Sequence, residues 1–216
     1  MTRLPHHPHD ETLMSFASGT LDPAFSLVLG CHLQFCSQCR RRVRVMEDIG
    51  GLLLEGLSPG DDDADFFQRT MERFSPQLTQ QSSDETSLLA PDAGNEVIMP
   101  APLAHMTGLR RETIPWKSLS HDLRRFDLAK IAGAKASAHI INIEPGAFVP
   151  PERHGGQLVV VLWGAYDYDG AHFERGDLHD IGSNDYRGFK GDGPEGVTYL
   201  TAVAPVPQFE ILRTGH

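Results

Sequence analysis

His32-Leu33-Gln34-Phe35-Cys36-Ser37-Gln38-Cys39 sets an imidazole four residues before one thiol and seven before a second. Two thiolates and an imidazole are three of the ligands that a tetrahedral Zn²⁺ takes, at 2.0–2.3 Å each. If the segment continues the end of a helix, positions i, i+4 and i+7 lie on one face and the three ligand atoms converge. A fourth ligand is available from His6, His7 or His9. Two thiolates with two neutral imidazoles neutralise the dication and leave no net charge to bury. Taken bare, Cys36-x2-Cys39 also fits two buried thiols or a redox pair, although the βαβ context of a thioredoxin motif is missing. Cys31 stands outside the spacing and reads as a small buried side chain.

Working outward, residues 10 to 57 read as helices. Asp10 opens a short one through Leu13, Met14, Phe16 and Ala17, closed by Gly19. Asp22-Pro23 is a cap followed by proline at the first helical position, and Phe25 to Phe35 runs on as a mostly apolar helix. Val43, Met46, Ile49, Leu53 and Leu57 keep helical spacing in a third, which Gly50-Gly51 weakens. Ser58-Pro59-Gly60 and the aspartates after it break the pattern. A fourth amphipathic helix, started by Asp63 or Asp65, is expected to carry Phe66, Phe67, Met71 and Phe74 and to need a surface to cover. Ser75 to Asn95 is polar and reads as a linker.

From about Val97 the texture turns to short strands. Ser137 to Ile143 alternates, and Leu158 to Leu162 and Tyr199 to Val203 are apolar runs. Pro145-Gly146, Gly155-Gly156 and Gly176-Asp177 punctuate them, as in a sandwich or small barrel. The chain therefore reads as an α + β protein of two domains: residues 1–75 helical, 76–96 a linker, and 97–216 a β-barrel. With 216 residues, a formal charge of −10 argues against general binding to nucleic acid, because phosphate contacts need a basic surface, and a zinc-stabilised DNA-binding repressor would depend on one local arginine run. The local run Arg40-Arg41-Arg42-Val43-Arg44 reads either as a solvated helix face or as a contact for an acidic protein. No run of 18 apolar residues and no apolar signal core appears, so a soluble, cytoplasmic protein without a membrane span is expected.

The order of an N-terminal histidine, a short helix ending Ala17-Ser18-Gly19-Thr20-Leu21, and His32-x3-Cys36-x2-Cys39 resembles the zinc-binding anti-sigma domain of the ChrR type. In that family the helical domain is followed by a cupin, a jelly-roll barrel. Ala24-Phe25-Ser26-Leu27-Val28 and Pro100-Ala101-Pro102-Leu103-Ala104 add to the likeness. Aligning Gly19-Thr20-Leu21 with the family pattern makes His7 the N-terminal zinc ligand. The resemblance implies one Zn²⁺ on His7, His32, Cys36 and Cys39. It further implies an extracytoplasmic-function sigma factor as partner, gripped by the helices, and release on a stress signal, oxidative in that family, sensed by the cupin domain or by the zinc thiolates of Cys36 and Cys39.

The barrel departs from the family's metal-binding pattern. Gly146 is followed after five residues by Glu152 and then His154, with Gln157 and Gly164 beyond. The glycine frame of the first cupin motif is kept, but only His154 remains of its histidines, and neutral Gln157 is a poor ligand. The second motif opens at Gly176-Asp177, and its ligand position falls near Arg187, a fixed cation. Glu152, His154, Gln157 and Arg187 thus read as a degenerate pocket, with a second metal not expected. His172 and His179 read as surface or strand-edge residues. A metal-dependent cupin enzyme, a dioxygenase or isomerase with accessory helices, is the alternative function.

Overall fold

A computed structural model describes residues 4–56, 68–69, 71–72, 99–185 and 187–206. Helix α1 spans Asp10–Ala17, α2 Pro23–Phe35 and α3 Ser37–Glu55. Asp22 caps α2 as its sequence requires, the carboxylate accepting from the Ala24 amide at 2.9 Å. The same carboxylate accepts from the Lys135 and Ala136 amides, at 2.7 and 3.3 Å. Asp10 is the first helical residue of α1, and His9 ahead of it makes no side-chain cap. Gly50-Gly51 leaves α3 unbroken.

Of the expected fourth helix, Gln68, Arg69, Met71 and Glu72 are helical. Phe66, Phe67 and Phe74 lie outside the described residues, as does the expected linker. The β texture expected from Val97 gives way first to a short helix, α4 (Ala101–Thr107). There Pro100 precedes the helix, Pro102 tolerates its first turn, and Gly108 (φ +67°) ends it.

The strands are β1 (Lys117–Ser118), β2 (Leu123–Asp127), β3 (Ser137–Ile143), β4 (Phe148–Val149), β5 (Gln157–Tyr168), β6 (Ala171–Glu174), β7 (Leu178–Ile181) and β8 (Phe189–Val203). All pair antiparallel in the order β1-β2-β3-β8-β5-β6, with β4 on β8 and β7 on β5. β5 and β8 are long and bent. The first half of β5 takes β7 as neighbour and the second half takes β6. The sheet therefore folds over itself into the jelly roll expected of the C-terminal half. The bend falls at irregularities on either side of Trp163 and Gly164. A Cβ on Gly164 (φ +72°) would lie 1.9 Å from the Gly196 carbonyl oxygen, so no larger residue fits this crossing.

Two apolar clusters follow from the strand pleat. Ile143, Val159, Val161, Tyr166, Phe173, Phe189 and Tyr199 fill the barrel. Leu158, Val160, Leu162, Ile140, Leu200 and Ala202 point the other way and join Leu13, Val28, Leu29, Leu103 and Val43 of the helices in one continuous core. The uninterrupted run Leu158–Leu162 is the mark of a strand buried on both faces.

Candidate metal centre and barrel mouth

α2 and α3 meet at Cys36, whose backbone is extended (φ −101°, ψ 100°). The expected single helical face through i, i+4 and i+7 is thus replaced by a bend. Cys36 ends α2, and its sulfur then caps α3 by accepting from the Cys39 amide at 3.3 Å. The bend turns both thiols toward the segment that precedes α1. His7 Nδ1 lies 3.5 Å from Cys36 Sγ and 3.4 Å from Cys39 Sγ. One ligand atom from each of His7, His32, Cys36 and Cys39 falls within 4.8 Å of the others.

His6 and His9 do not join them. His6 stacks on Phe173, with ring centroids 4.1 Å apart, and its Nε2 meets the His172 carbonyl at 2.9 Å. His9 faces Asp180.

The four residues fit a single metal ion on two further grounds. His32 is fully buried, and its Nδ1 meets the Gly176 carbonyl at 2.7 Å. The carbonyl can only accept, which fixes the tautomer and leaves Nε2 with a lone pair. That Nε2 is buried without a hydrogen-bond partner, an arrangement costly without a ligand and usual for a metal-bound histidine. The thiols, moreover, are not oxidised to a disulfide. The hydrogen bond from the Cys39 thiol holds the Cys36 pKa well below the ordinary thiol value, and the same bond and burial push Cys39 up. Cys31 lies apart, fully buried, its thiol pushed up to about 12 by burial.

In the barrel, Glu152, His154, Gln157 and Arg187 all line one cavity of about 250 Å³ at its mouth. Arg125, His139 and Tyr199 line it too, and these the sequence reading missed. Alternation along β3 was the available signal, since it puts Ser137, His139 and Ile141 on one face. Several of the polar groups at the mouth are paired. Arg125 and His139 share Asp127, at 2.6 and 2.8 Å. Arg187 pairs with Asp169 and Asp185, and Gln157 donates to Thr201 Oγ1 at 2.9 Å. Burial lowers the pKa of His154 and His139. Among the described residues, no group of three metal-ligating side chains forms in this cavity.

His179 keeps the strand-edge part of its reading, on β7, which pairs with β5 alone among the described strands, but it is half-buried rather than at the surface. It stacks on Phe173 at 4.4 Å and meets the Tyr166 hydroxyl at 3.0 Å, inside the aromatic cluster. His172 is exposed and pairs with Asp167 at 2.8 Å.

No protein-family model matches the chain. It is 33% identical over 174 residues to the anti-sigma-E factor ChrR of Cereibacter sphaeroides, covering 80% of this chain and 77% of the relative. The chain belongs to the ChrR anti-sigma family. The fold agrees with ChrR in the crystal structure of Rhodobacter sphaeroides SigE in complex with the anti-sigma ChrR. There the TM-score is 0.71 and the identity 30%, over 92% of this chain and 98% of that one. A partial likeness to an RmlC-like cupin from Shewanella frigidimarina covers 46% of this chain, with 19% identity and TM-score 0.37.

Membership of the ChrR family sets aside the enzyme reading. It also bears on the arginine run, which divides on inspection. Arg40 donates to the Leu33 and Gln34 carbonyls at the end of α2, and Arg42 pairs with Asp10 of α1. Arg41 and Arg44 face solvent. No helix among the described residues is long and apolar enough to cross a membrane.

Proposed function

We propose that this chain is an anti-sigma factor that sequesters an extracytoplasmic-function sigma factor in the cytoplasm. A helical domain (residues 1–75), held by one Zn²⁺ on His7, His32, Cys36 and Cys39, makes the grip. A linker (76–96) leads to a cupin-like domain (97–216), and the stress signal is taken up either by that domain or by the zinc thiolates of Cys36 and Cys39. The observation that carries this reading is the convergence of two thiols and two imidazoles, one with an orphaned buried nitrogen, in a chain of the ChrR family. Bound zinc supplies a fixed tetrahedral cross-link. His7 brings the segment before α1 to it, and Cys36 and Cys39 bring the α2–α3 bend. The far end of α3 supports a docking role, because Leu52, Leu53 and Leu54 are 67, 70 and 70% exposed. Three large apolar side chains in water at one helix end suit a protein partner.

The test uses the full chain and a sigma factor from the same genome. Wild type is expected to hold one zinc and to co-purify with the sigma factor, whereas Cys36→Ser loses both, with zinc affinity down by more than about 100-fold. Retention of the sigma factor by a zinc-free Cys36→Ser chain would overturn the role given to the metal.

A further inference from the structure

The metal centre belongs to the helices by ligand, yet the barrel holds two of its ligands in place. One stretch of the barrel, Glu174 to Asp180, which is the β6–β7 turn with the strand residues that flank it, touches both histidines or their neighbours. Its Gly176 carbonyl takes the His32 Nδ1 hydrogen at 2.7 Å. Its Asp177 carboxylate accepts from the His6 amide at 3.4 Å, and the Leu178 amide donates to the His6 carbonyl at 3.4 Å. Asp180 accepts from the His9 amide at 3.2 Å and from Thr12 Oγ1 at 2.6 Å. His7 is thereby suspended between two residues that the barrel fixes. The turn also seats on the end of α2. The Arg175 guanidinium lies 5.2 Å from the Phe35 ring centroid. Gly176 (φ +90°) approaches so closely that a Cβ there would lie 2.9 Å from Phe35 Cβ.

We propose that the Glu174–Asp180 turn is the outer shell of the N-terminal metal centre, so that docking of the barrel and retention of zinc are one linked equilibrium. This rests on the zinc reading above. A histidine ligand whose second nitrogen donates to a fixed carbonyl is oriented and made more basic by it, and losing such a partner weakens metal binding about 10–100-fold. Linkage is reciprocal. Whatever displaces the turn loosens the metal, and removing the metal loosens the segment before α1 from the turn. Gly176, Asp177 and Asp180 are positioning residues in this scheme, none of them a ligand. The route gives an event in the barrel a short physical path to the helices, through two histidines.

The experiment measures zinc affinity of the full chain by chelator competition, for wild type, Gly176→Ala and Asp180→Ala. Lys190→Ala, on the exposed face of β8, is the control. Gly176→Ala forces the turn off Phe35; Asp180→Ala keeps the turn and removes only the anchor of His9 and Thr12. Both are expected to bind zinc about 10–100-fold more weakly than wild type. Co²⁺ spectra should show the same two-sulfur, two-nitrogen set, and far-UV circular dichroism should report a folded chain. In wild type, chelation should speed hydrogen exchange of the Leu178 amide and leave the paired amides of Val160 and Leu200 protected. Unchanged zinc affinity in a folded Asp180→Ala chain, or Leu178 exchange indifferent to chelation, overturns the linkage alone. Failure of wild type to bind zinc tightly removes the metal reading and the linkage with it.

Discussion

His179 shows how far one side chain's surroundings can move it from what its sequence suggests. It belongs to a four-residue strand, Leu178–Ile181, between Leu178 and Asp180, and the barrel closes Phe173, Tyr168 and Tyr166 around its ring. Burial lowers its pKa from 6.5 to about 4. Since the folded value lies below the unfolded one, the unfolded chain takes up the proton first as pH falls. The stability tied to neutral His179 is whole above pH 6.5 and is lost between 6.5 and about 4, a cost of about 3 kcal/mol. Thermal unfolding of His179→Gln, which keeps an acceptor for Tyr166, should fall less steeply over that window than wild type; parallel slopes would refute this. At this scale the metal ligands were largely legible, because His-x3-Cys-x2-Cys is a local pattern. The choice of His7 needed family alignment, since His6 and His9 differ from it only in what the barrel offers them. The orphaned Nε2 of His32 and the Gly176 carbonyl were not legible, being set by a partner 144 residues away.

Among the elements, α2 and α3 carry opposite tasks. α2 is buried by Ala24, Val28, Leu29, Cys31 and His32. Its cap, Asp22, also takes two amides from the segment before β3. Asp22→Ala should therefore cost about 2 kcal/mol, more than a simple cap, in denaturant unfolding; a loss below about 0.5 kcal/mol would mean water replaces those bonds freely. α3 buries Cys39 and Val43 near its start and leaves its last turns in water. Leu53→Asp should weaken sigma-factor binding about 10–100-fold, as loss of an apolar anchor does, while leaving zinc content at one per chain. Equal affinity would place the interface elsewhere. The helices were readable from capping and period. α4 was not, because seven residues with two prolines at the start carry little helical signal, and the helix persists by packing Leu103 against α2.

Across the whole molecule, the helices and the sheet close over a single apolar core. Residues 99–206 expressed alone would present Leu158, Val160, Trp163, Leu178 and Leu200 to water. Such a fragment is expected to bind a hydrophobic dye and to self-associate, in contrast to the full chain. A monodisperse, dye-silent fragment would show that the sheet face tolerates exposure. The sequence announced two textures, helical and β, and both exist. That they interlock was hidden, because a run such as Leu158–Leu162 says that both faces are covered but not by what.

The alternation of the strands has an evolutionary reading. On β3 and β8 the odd-numbered positions Ser137, His139, Ile141, Tyr199, Thr201 and Val203 line the mouth. The even-numbered Ala138, Ile140, Leu200 and Ala202 hold the helices. Gln157 and Leu158 divide in the same way at the start of β5. Mouth chemistry and helix docking are thus written on the same strands in separate registers. Point changes can rewrite the first without erasing the second. The barrel is free to acquire new tastes while keeping its hold on the helices.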